Sequence, residues 1–203
     1  PNLKFIDLNG DGRTDVLIAG DHVFQWHGSL GRAGFAPAET VRKPVDDEAG
    51  PAVVFEDATQ SIFLADMSGD GLTDLARIRN GEVCYWPNLG YGRFGAKVTM
   101  GRAPIFEASD QFDPKRLRLA DVDGTGVADL VYIGREGATL WFNEAGNAWS
   151  APRRLAGFPA VDSLSSVTLT DLLGTGTSCL VWSSPLPGNA HRPFRYIDLM
   201  GGQ

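Results

Sequence analysis

The chain has 203 residues, of which 43% are hydrophobic and 21% are charged, as is typical of a globular domain. Its net charge of −7 argues against nucleic-acid binding, because phosphate recognition needs a basic face and none is visible. No stretch approaches the roughly 20 apolar residues of a membrane span, so we expect no membrane insertion. Since the sequence starts at Pro1 without a leader, we expect it to be part of a longer protein.

The first predicted strands, Leu3–Leu8 and Val16–Ala19, flank an acidic stretch, residues 7–15, that reads DLNGDGRTD. Its side-chain oxygens alternate with glycines, which can take the positive φ that a tight loop needs. Hard divalent cations prefer six to eight oxygen ligands. The ligand order is similar to the start of an EF-hand loop, but it closes early and strands flank it. The predicted ligands are the side chains of Asp7, Asn9, Asp11 and Asp15 and the carbonyl of Arg13.

The acidic stretch recurs three times, with first aspartates at intervals of 50 to 59 residues, which indicates repeated supersecondary units. In the second copy the predicted ligands are Asp66, Ser68, Asp70, Leu72 (carbonyl) and Asp74. In the third they are Asp121, Asp123, Thr125, Val127 (carbonyl) and Asp129, and its occupancy is left open. The fourth keeps Asp171 but has Leu173 and Cys179 at ligand positions, so we expect it to be free of metal. Calcium is favoured over magnesium, which stays possible, because a flexible protein cage suits the larger ion.

Four short strands are predicted in each repeat, and the repeats run approximately over 1–60, 61–115, 116–165 and 166–203. After the two strands of the first repeat come His22–Trp26 and Glu39–Val41, and the later repeats follow the same plan, although the fourth ends without a last strand. Four-stranded antiparallel units of this length are typical of a β-propeller blade. We therefore predict an all-β fold: a single, partial β-propeller domain over 1–203, belonging to a larger propeller. A β-helix has a shorter period, and a sandwich would not repeat its turns in register.

In the first three units, aromatic residues recur at the end of the third strand and in the loop that follows it. Trp26, Trp86 and Trp141 are predicted to share one register, as are Phe35, Phe94 and Trp149. They could form a sugar-stacking platform, but blade-to-blade packing is the favoured interpretation. The segments 42–60 and 101–114 are predicted insertions between blades, and the acidic run at 46–48 is predicted to be a solvated loop.

No catalytic residue is predicted. The histidines His22, His27 and His191 lie in no recognisable triad or zinc motif. The carboxylate pairs repeat in every blade, whereas a glycosidase pair occurs once. Cys84 and Cys179 are expected to be buried free thiols.

The repeated loops with a downstream Gly-x-Phe resemble FG-GAP/VCBS repeats, the metal-loop propeller blades also found in integrin α-chains. Residues 61–203 further resemble the SpvB-like region of the B component of bacterial Tc toxin complexes. The most specific stretches are 116–134, 157–166, 181–188 and 195–203. The resemblance implies a secreted or extracellular toxin module that docks on the pore-forming A component, gates toxin translocation and meets the remaining B and C shell. It does not extend to the ADP-ribosyltransferase part of SpvB. The alternative is a carbohydrate-binding or adhesion propeller on a secreted or surface protein.

Overall fold

The regular structure consists of short antiparallel strands joined by turns. The computed structural model describes residues 2–52, 55, 61–135, 137–155, 158 and 165–200. The motifs at 157–166 and 195–203 and the insertion at 42–60 therefore lie partly outside the described residues. Within the described part there are seventeen strands and three short 3₁₀ turns, at Gly31–Ala33, Pro114–Arg116 and Pro187–Asn189.

The strands form four successive sheets, here called blades 1 to 4. Blade 1 contains β1 (Leu3–Ile6), β2 (Asp15–Ala19), β3 (Val23–His27) and β4 (Glu39–Arg42). Blade 2 contains β5 (Ser61–Ala65), β6 (Asp74–Arg79), β7 (Glu82–Trp86) and β8 (Val98–Thr99). Blade 3 contains β9 (Leu117–Ala120), β10 (Asp129–Gly134), β11 (Gly137–Trp141) and β14 (Arg153–Arg154), with the hairpin β12 (Asn143–Glu144) and β13 (Ala148–Trp149) before its last strand. Blade 4 contains β15 (Ser166–Thr170), β16 (Cys179–Ser183) and β17 (Phe194–Asp198). The predicted all-β fold of four-stranded antiparallel blades is confirmed.

The core lies between the blades. Three buried clusters join blade 1 to blade 2, blade 2 to blade 3, and blade 3 to blade 4. The second strand of each blade is buried on both faces, which explains its uninterrupted apolar run, as in Leu130–Ile133. Among the described residues, none of these clusters joins blade 1 to blade 4.

The three tryptophans do not share one register, contrary to the prediction. The residue that follows the last aspartate of the acidic loop pairs across the sheet with Trp86 in blade 2 and with Trp141 in blade 3. In blade 1 the equivalent residue pairs with His27. A shift of one residue turns a side chain to the other face of its sheet. Trp26 therefore packs toward blade 2, with the centre of its ring 5.8 Å from that of Tyr91.

The acidic run at 46–48 is docked on blade 2 mainly through Asp47, whereas Asp46 and Glu48 are exposed, so the prediction of a solvated loop was wrong for Asp47. Asp47 forms an ion pair of 2.6 Å with Arg77, whose side chain is only 8% exposed. The carbonyl of Asp47 accepts the indole N–H of Trp86 at 2.8 Å, and Glu48 forms an ion pair with Lys97. The guanidinium of Arg77 lies 5.2 Å from the centre of the Trp86 ring. A buried cation requires such a partner, which explains why the acidic segment folds back.

Cys84 and Cys179 are free and fully buried, as predicted. In the described part of the chain, no helix combines the length and apolar character that a membrane span requires.

Candidate functional site

The candidate site is the series of acidic loops between the first and second strands of each blade. Both glycines of every loop have φ between 69° and 89°. A side chain is strained in that left-handed region, so glycine is required at these turns. The loops also touch one another, since a Cβ on Gly10 would lie 2.9 Å from Leu72 in the next blade, and one on Gly69 would lie 2.9 Å from Val127. The predicted loops are thus neighbours at one end of the blades.

The first aspartate of each loop holds the loop together through backbone N–H groups. The Oδ1 atom of Asp7 accepts the N–H of Gly10 at 2.8 Å, and Oδ2 accepts that of Gly12 at 2.8 Å. Asp66 and Asp121 make the same pair of bonds, and Asp171 makes closely similar ones. These N–H donors, first that of Gly176, keep the pKa of Asp171 below its ordinary value. Each carboxylate oxygen has further acceptor capacity, so a ligand role is compatible with these bonds.

The closing aspartate is buried and serves as an anchor. Asp74 is 0% exposed; its Oδ2 accepts the N–H groups of Met67 at 2.9 Å and Ser68 at 3.1 Å, and its Oδ1 accepts that of Asn88 at 2.8 Å. The equivalent acceptor bonds in the other two blades join Asp15 to Leu8 and Ser29, and Asp129 to Val122 and Asn143. Burial raises the pKa of Asp74, and it raises the pKa of Asp129 to about 6. The closing carboxylate therefore ties its loop to the hairpin that follows the third strand.

Two asparagines that sequence reasoning missed connect neighbouring blades. The side-chain amide of Asn88 donates to the carbonyl of Leu8 at 3.3 Å, and that of Asn143 donates to the carbonyl of Met67 at 3.0 Å. Both asparagines are almost fully buried. Each lies 14 residues after the closing aspartate of its own blade, and this constant spacing is the signal that could have identified them.

Backbone hydrogen bonds also connect the acidic loops of neighbouring blades. The N–H of Ala128 donates to the carbonyl of Asp66 at 2.7 Å, and that of Ser178 donates to the carbonyl of Asp121 at 3.2 Å. The loops of blades 2, 3 and 4 are therefore linked in a hydrogen-bonded row.

The predicted metal-ligand atoms of the first three loops are all oxygens, which suit a hard divalent cation. In the third loop, oxygens of Asp121, Asp123 and Asp129 lie within 4.8 Å of one another; in the described part of the chain this is the one group of three potential Asp, Glu, His or Cys ligands so placed. In the first two loops Asn9 and Ser68 replace the second carboxylate. The hydroxyl of Ser68 is buried without a hydrogen-bond partner, an arrangement that an ion or a water would satisfy.

Several of the other predicted ligands lie at the outer rim of the loops, whereas Val127, a predicted carbonyl ligand, is buried. Asn9 accepts the N–H of Asp11 at 3.0 Å, and Asp11 accepts that of Arg13 at 2.8 Å. In the third loop Asp123 accepts the hydroxyl of Thr125 at 2.6 Å. These are local bonds; Asp11 and Thr125 are exposed, and Asn9 and Asp123 are partly exposed. The outer ligands are consequently available to an ion at little cost to the fold, whereas the closing aspartates can bind an ion only through the lone pairs that their backbone hydrogen bonds leave free.

The fourth loop replaces the polar anchor by an apolar one. Cys179 stands where the other blades have the closing aspartate, and Leu199 stands at the position of Asn88 and Asn143. Both are buried, at 0% and 2% exposure. An apolar pair leaves no buried charge to be neutralised, so the two substitutions are consistent with each other.

Comparison with known proteins supports the fold and the repeat. A profile of FG-GAP-like repeats matches residues 7–77. No curated protein sequence matches the chain. A lectin from Agrocybe aegerita, which recognises non-reducing terminal N-acetylglucosamine, has a similar structure, with 23% identity and a TM-score of 0.66 over 88% of this chain and 45% of the lectin chain. The chain has a β-propeller fold and carries an FG-GAP-like repeat.

Structures of TcdB2-TccC3 are similar to almost the whole chain. TcdB2-TccC3 without its hypervariable C-terminal region gives a TM-score of 0.65 at 17% identity, over 98% of this chain and 14% of that one. A second TcdB2-TccC3 structure gives 0.63 at the same identity and coverage. The chain thus spans less than half of the lectin and about one seventh of the TcdB2-TccC3 chain.

Proposed function

We propose that this chain is a non-catalytic β-propeller module of a bacterial toxin-complex B component. It would dock on the pore-forming A component and gate the passage of the toxin held by the B and C shell, in a secreted or extracellular setting. The observation that carries the proposal is that 98% of the chain fits TcdB2-TccC3, together with the SpvB-like motifs of residues 61–203. The fit concerns the fold, and the motifs supply the link to the toxin family.

Exposed apolar side chains on the hairpins after the third strands suit a protein partner. Leu30 in blade 1 and Leu89 and Tyr91 in blade 2 are 51%, 62% and 61% exposed. Tyr91 also has a φ of 55°, a strained value for a side chain of this size. Strain of this kind persists where function requires it, and aromatic residues are frequent anchors of protein interfaces.

Calcium in the first three loops is part of the same proposal. Its role would be structural, because the loops connect successive blades and their donors are the oxygens that calcium prefers. The unpartnered hydroxyl of Ser68 and the three close carboxylates of the third loop support this assignment. Binding energy available only in the folded state would add to stability by linkage.

The test is direct binding of the purified chain to an immobilised pore-forming A component in calcium buffer. Saturable binding is expected, and the double variant Leu89→Ser with Tyr91→Asn should weaken it at least about tenfold, as loss of an interface anchor does. Ile105→Ser is the matched control, because Ile105 is 77% exposed on a different segment. Absence of binding by a folded chain would exclude docking by this module.

A lectin is the second candidate, because the Agrocybe aegerita lectin shares the fold at the highest identity among these structures. A glycan array containing terminal N-acetylglucosamine separates the two. Glycan binding without A-component binding would favour the lectin, and the opposite result would favour the toxin module.

A further inference from the structure

A cavity lies on the face of blade 3 that packs toward blade 2, at the end of the blade opposite its acidic loop. Its volume is about 520 Å³, and small-molecule sites commonly have about 300 to 1,000 Å³. Strand pairing places Tyr132, Thr139 and Arg154 in one row across β10, β11 and β14, so these side chains share one face of the sheet. All three residues line the cavity. The sheet therefore supplies one of its walls.

Two glycines leave this space open. Gly134 and Gly137 pair with each other across β10 and β11, on the same face as the row and two residues beyond it. The equivalent pair in blade 2 is Arg79 and Glu82, whose side chains form an ion pair of 3.6 Å. A Cβ on Gly137 would meet no atom within 4 Å. Blade 3 thus has an empty space where blade 2 has two long side chains.

The opposite wall belongs to the segment 101–114 and is fixed by hydrogen bonds and ring contacts. The side-chain amide of Asn80 donates to the carbonyl of Glu107 at 2.8 Å, and its oxygen accepts the N–H of Phe106 at 2.7 Å. The centre of the Phe106 ring lies 5.0 Å from that of Tyr132 and 5.5 Å from that of Trp141. Phe106 and Glu107 line the cavity from these positions. Such a wall is formed before a ligand arrives, which lowers the entropic cost of binding.

The carboxylate of Glu107 is oriented, and its charge is compensated. Its Oε2 accepts the hydroxyl of Tyr132 at 3.0 Å and lies 3.5 Å from Nη1 of Arg116. Its Oε1 accepts the N–H of Arg135 at 3.1 Å. The side chain is 15% exposed. Because each carboxylate oxygen has about two acceptor positions, Oε1 can accept one more O–H or N–H group from a ligand.

The other side of the cavity is basic. Arg135 and Arg154 line it and are exposed, so the described lining residues carry two positive charges and one negative charge. This local balance contrasts with the net charge of −7 of the whole chain. A guanidinium group matches the geometry of a carboxylate and can bind it through two parallel hydrogen bonds. Arg154 lies two strands away from Tyr132, which corresponds to about 9 to 10 Å between their backbones.

We propose that this cavity binds a small carboxylic acid that also carries a hydroxyl or amide group. The carboxylate of the ligand pairs with the guanidinium of Arg154 and accepts the hydroxyl of Thr139. The hydroxyl or amide group donates to Glu107 at the other end, and the body of the ligand packs against Phe106. A sugar acid and an N-acylated aromatic acid both have this chemistry. The site shares no residue with the surface proposed for docking, so either proposal can fail without the other.

The proposal is tested by isothermal titration calorimetry of the 203-residue chain with two acids and two neutral counterparts. The acids are N-acetylneuraminate and N-acetyltyrosine, and the neutral compounds are N-acetylglucosamine and N-acetyltyrosinamide. At least one acid should bind with a Kd of about 1 mM or lower. Its neutral counterpart should bind at least about tenfold more weakly, because it cannot form the charged pair. The acid that binds more tightly identifies the source of the ligand.

Two variants locate the binding to this cavity. Arg154→Gln removes the charge that holds the carboxylate and should weaken binding at least about tenfold, and Thr139→Val should weaken it about threefold or more by removing one hydroxyl. Arg153→Gln is the matched control, because Arg153 is equally exposed but pairs with Leu140 and so lies on the opposite face of the sheet. This control removes the same charge and should leave binding unchanged.

Three results would overturn the proposal. The first is that neither acid binds to the folded chain, even if N-acetylglucosamine does, which would favour the lectin function instead. The second is that the neutral compounds bind as tightly as the acids. The third is that Arg154→Gln and Arg153→Gln weaken binding equally, since a general charge effect would then explain the affinity.

Discussion

Replacing the closing aspartate of the second loop by asparagine separates its anchoring role from any role in metal binding. Asp74 accepts three backbone N–H groups through its two oxygens and is completely buried. In Asp74→Asn only one oxygen remains, and the new amide group faces at least one N–H donor. The anchor is therefore broken even when no ion is present.

The magnitude follows from these bonds. A hydrogen bond to a charged group contributes about 1.5 to 3 kcal/mol, and an orphaned buried N–H costs about 1 to 3 kcal/mol. Removing the charge offsets part of this loss, because burial already disfavours the ionised carboxylate and raises its pKa. We expect the free energy of unfolding to fall by about 2 to 4 kcal/mol.

The assay is urea unfolding in excess EDTA, repeated in calcium. Asp70→Asn is the matched control, since Asp70 lies in the same loop but is exposed and accepts one N–H, that of Leu72, at 2.8 Å. An amide oxygen can keep that bond, so the control should change stability in EDTA by less than about 0.5 kcal/mol. It should instead lose most of the stabilisation by calcium. If Asp74→Asn is as stable as the wild type in EDTA, the anchoring argument is refuted.

Three further outcomes are expected. Excess EDTA should lower the melting temperature of calcium-loaded protein, and an unchanged melt would exclude structural calcium. In EDTA, the free energy of unfolding should fall by up to roughly 3 kcal/mol as the pH rises from about 4 to about 6. The reason is that Asp129, with a folded pKa of about 6, binds more protons when folded than when unfolded. Urea unfolding at several pH values measures this profile, which Asp129→Asn should flatten. Asp47→Ala should cost about 2 to 4 kcal/mol by leaving the guanidinium of Arg77 buried without its main partner, whereas Arg79→Ala, at an exposed ion pair, should cost less than about 0.5 kcal/mol in the same assay.

The sequence predicted the fold because its signals are local. The four strands of blade 1 were placed to within two residues at each end, since apolar runs bounded by turns define them. The docking of Asp47 on Arg77 was missed, because the two residues are 30 positions apart and nothing local indicates that the arginine is buried.

The sequence predicted the position of the acidic loops but not the direction in which each carboxylate points. The repeated aspartates mark the loops, but their spacing does not distinguish a carboxylate that points to an ion from one that points inward. Asp11 and Asp15 illustrate this difference, since the first is exposed at the rim and the second is fully buried and accepts two backbone N–H groups. The ligand assignments themselves stay predictions.

The amino-acid sequence by itself determined the repeated blades and the tight acidic turns, because alternation of side chains and the conformational freedom of glycine act over a few residues. Only the tertiary structure decided which face of each strand is covered. Because of a one-residue shift, Trp26 faces blade 2 whereas Trp86 faces blade 1. Similar apolar side chains are buried in blade 2 but exposed in blade 4, as Tyr85 and Tyr196 are. Burial depends on what lies against a face, which is a property of the assembled blades.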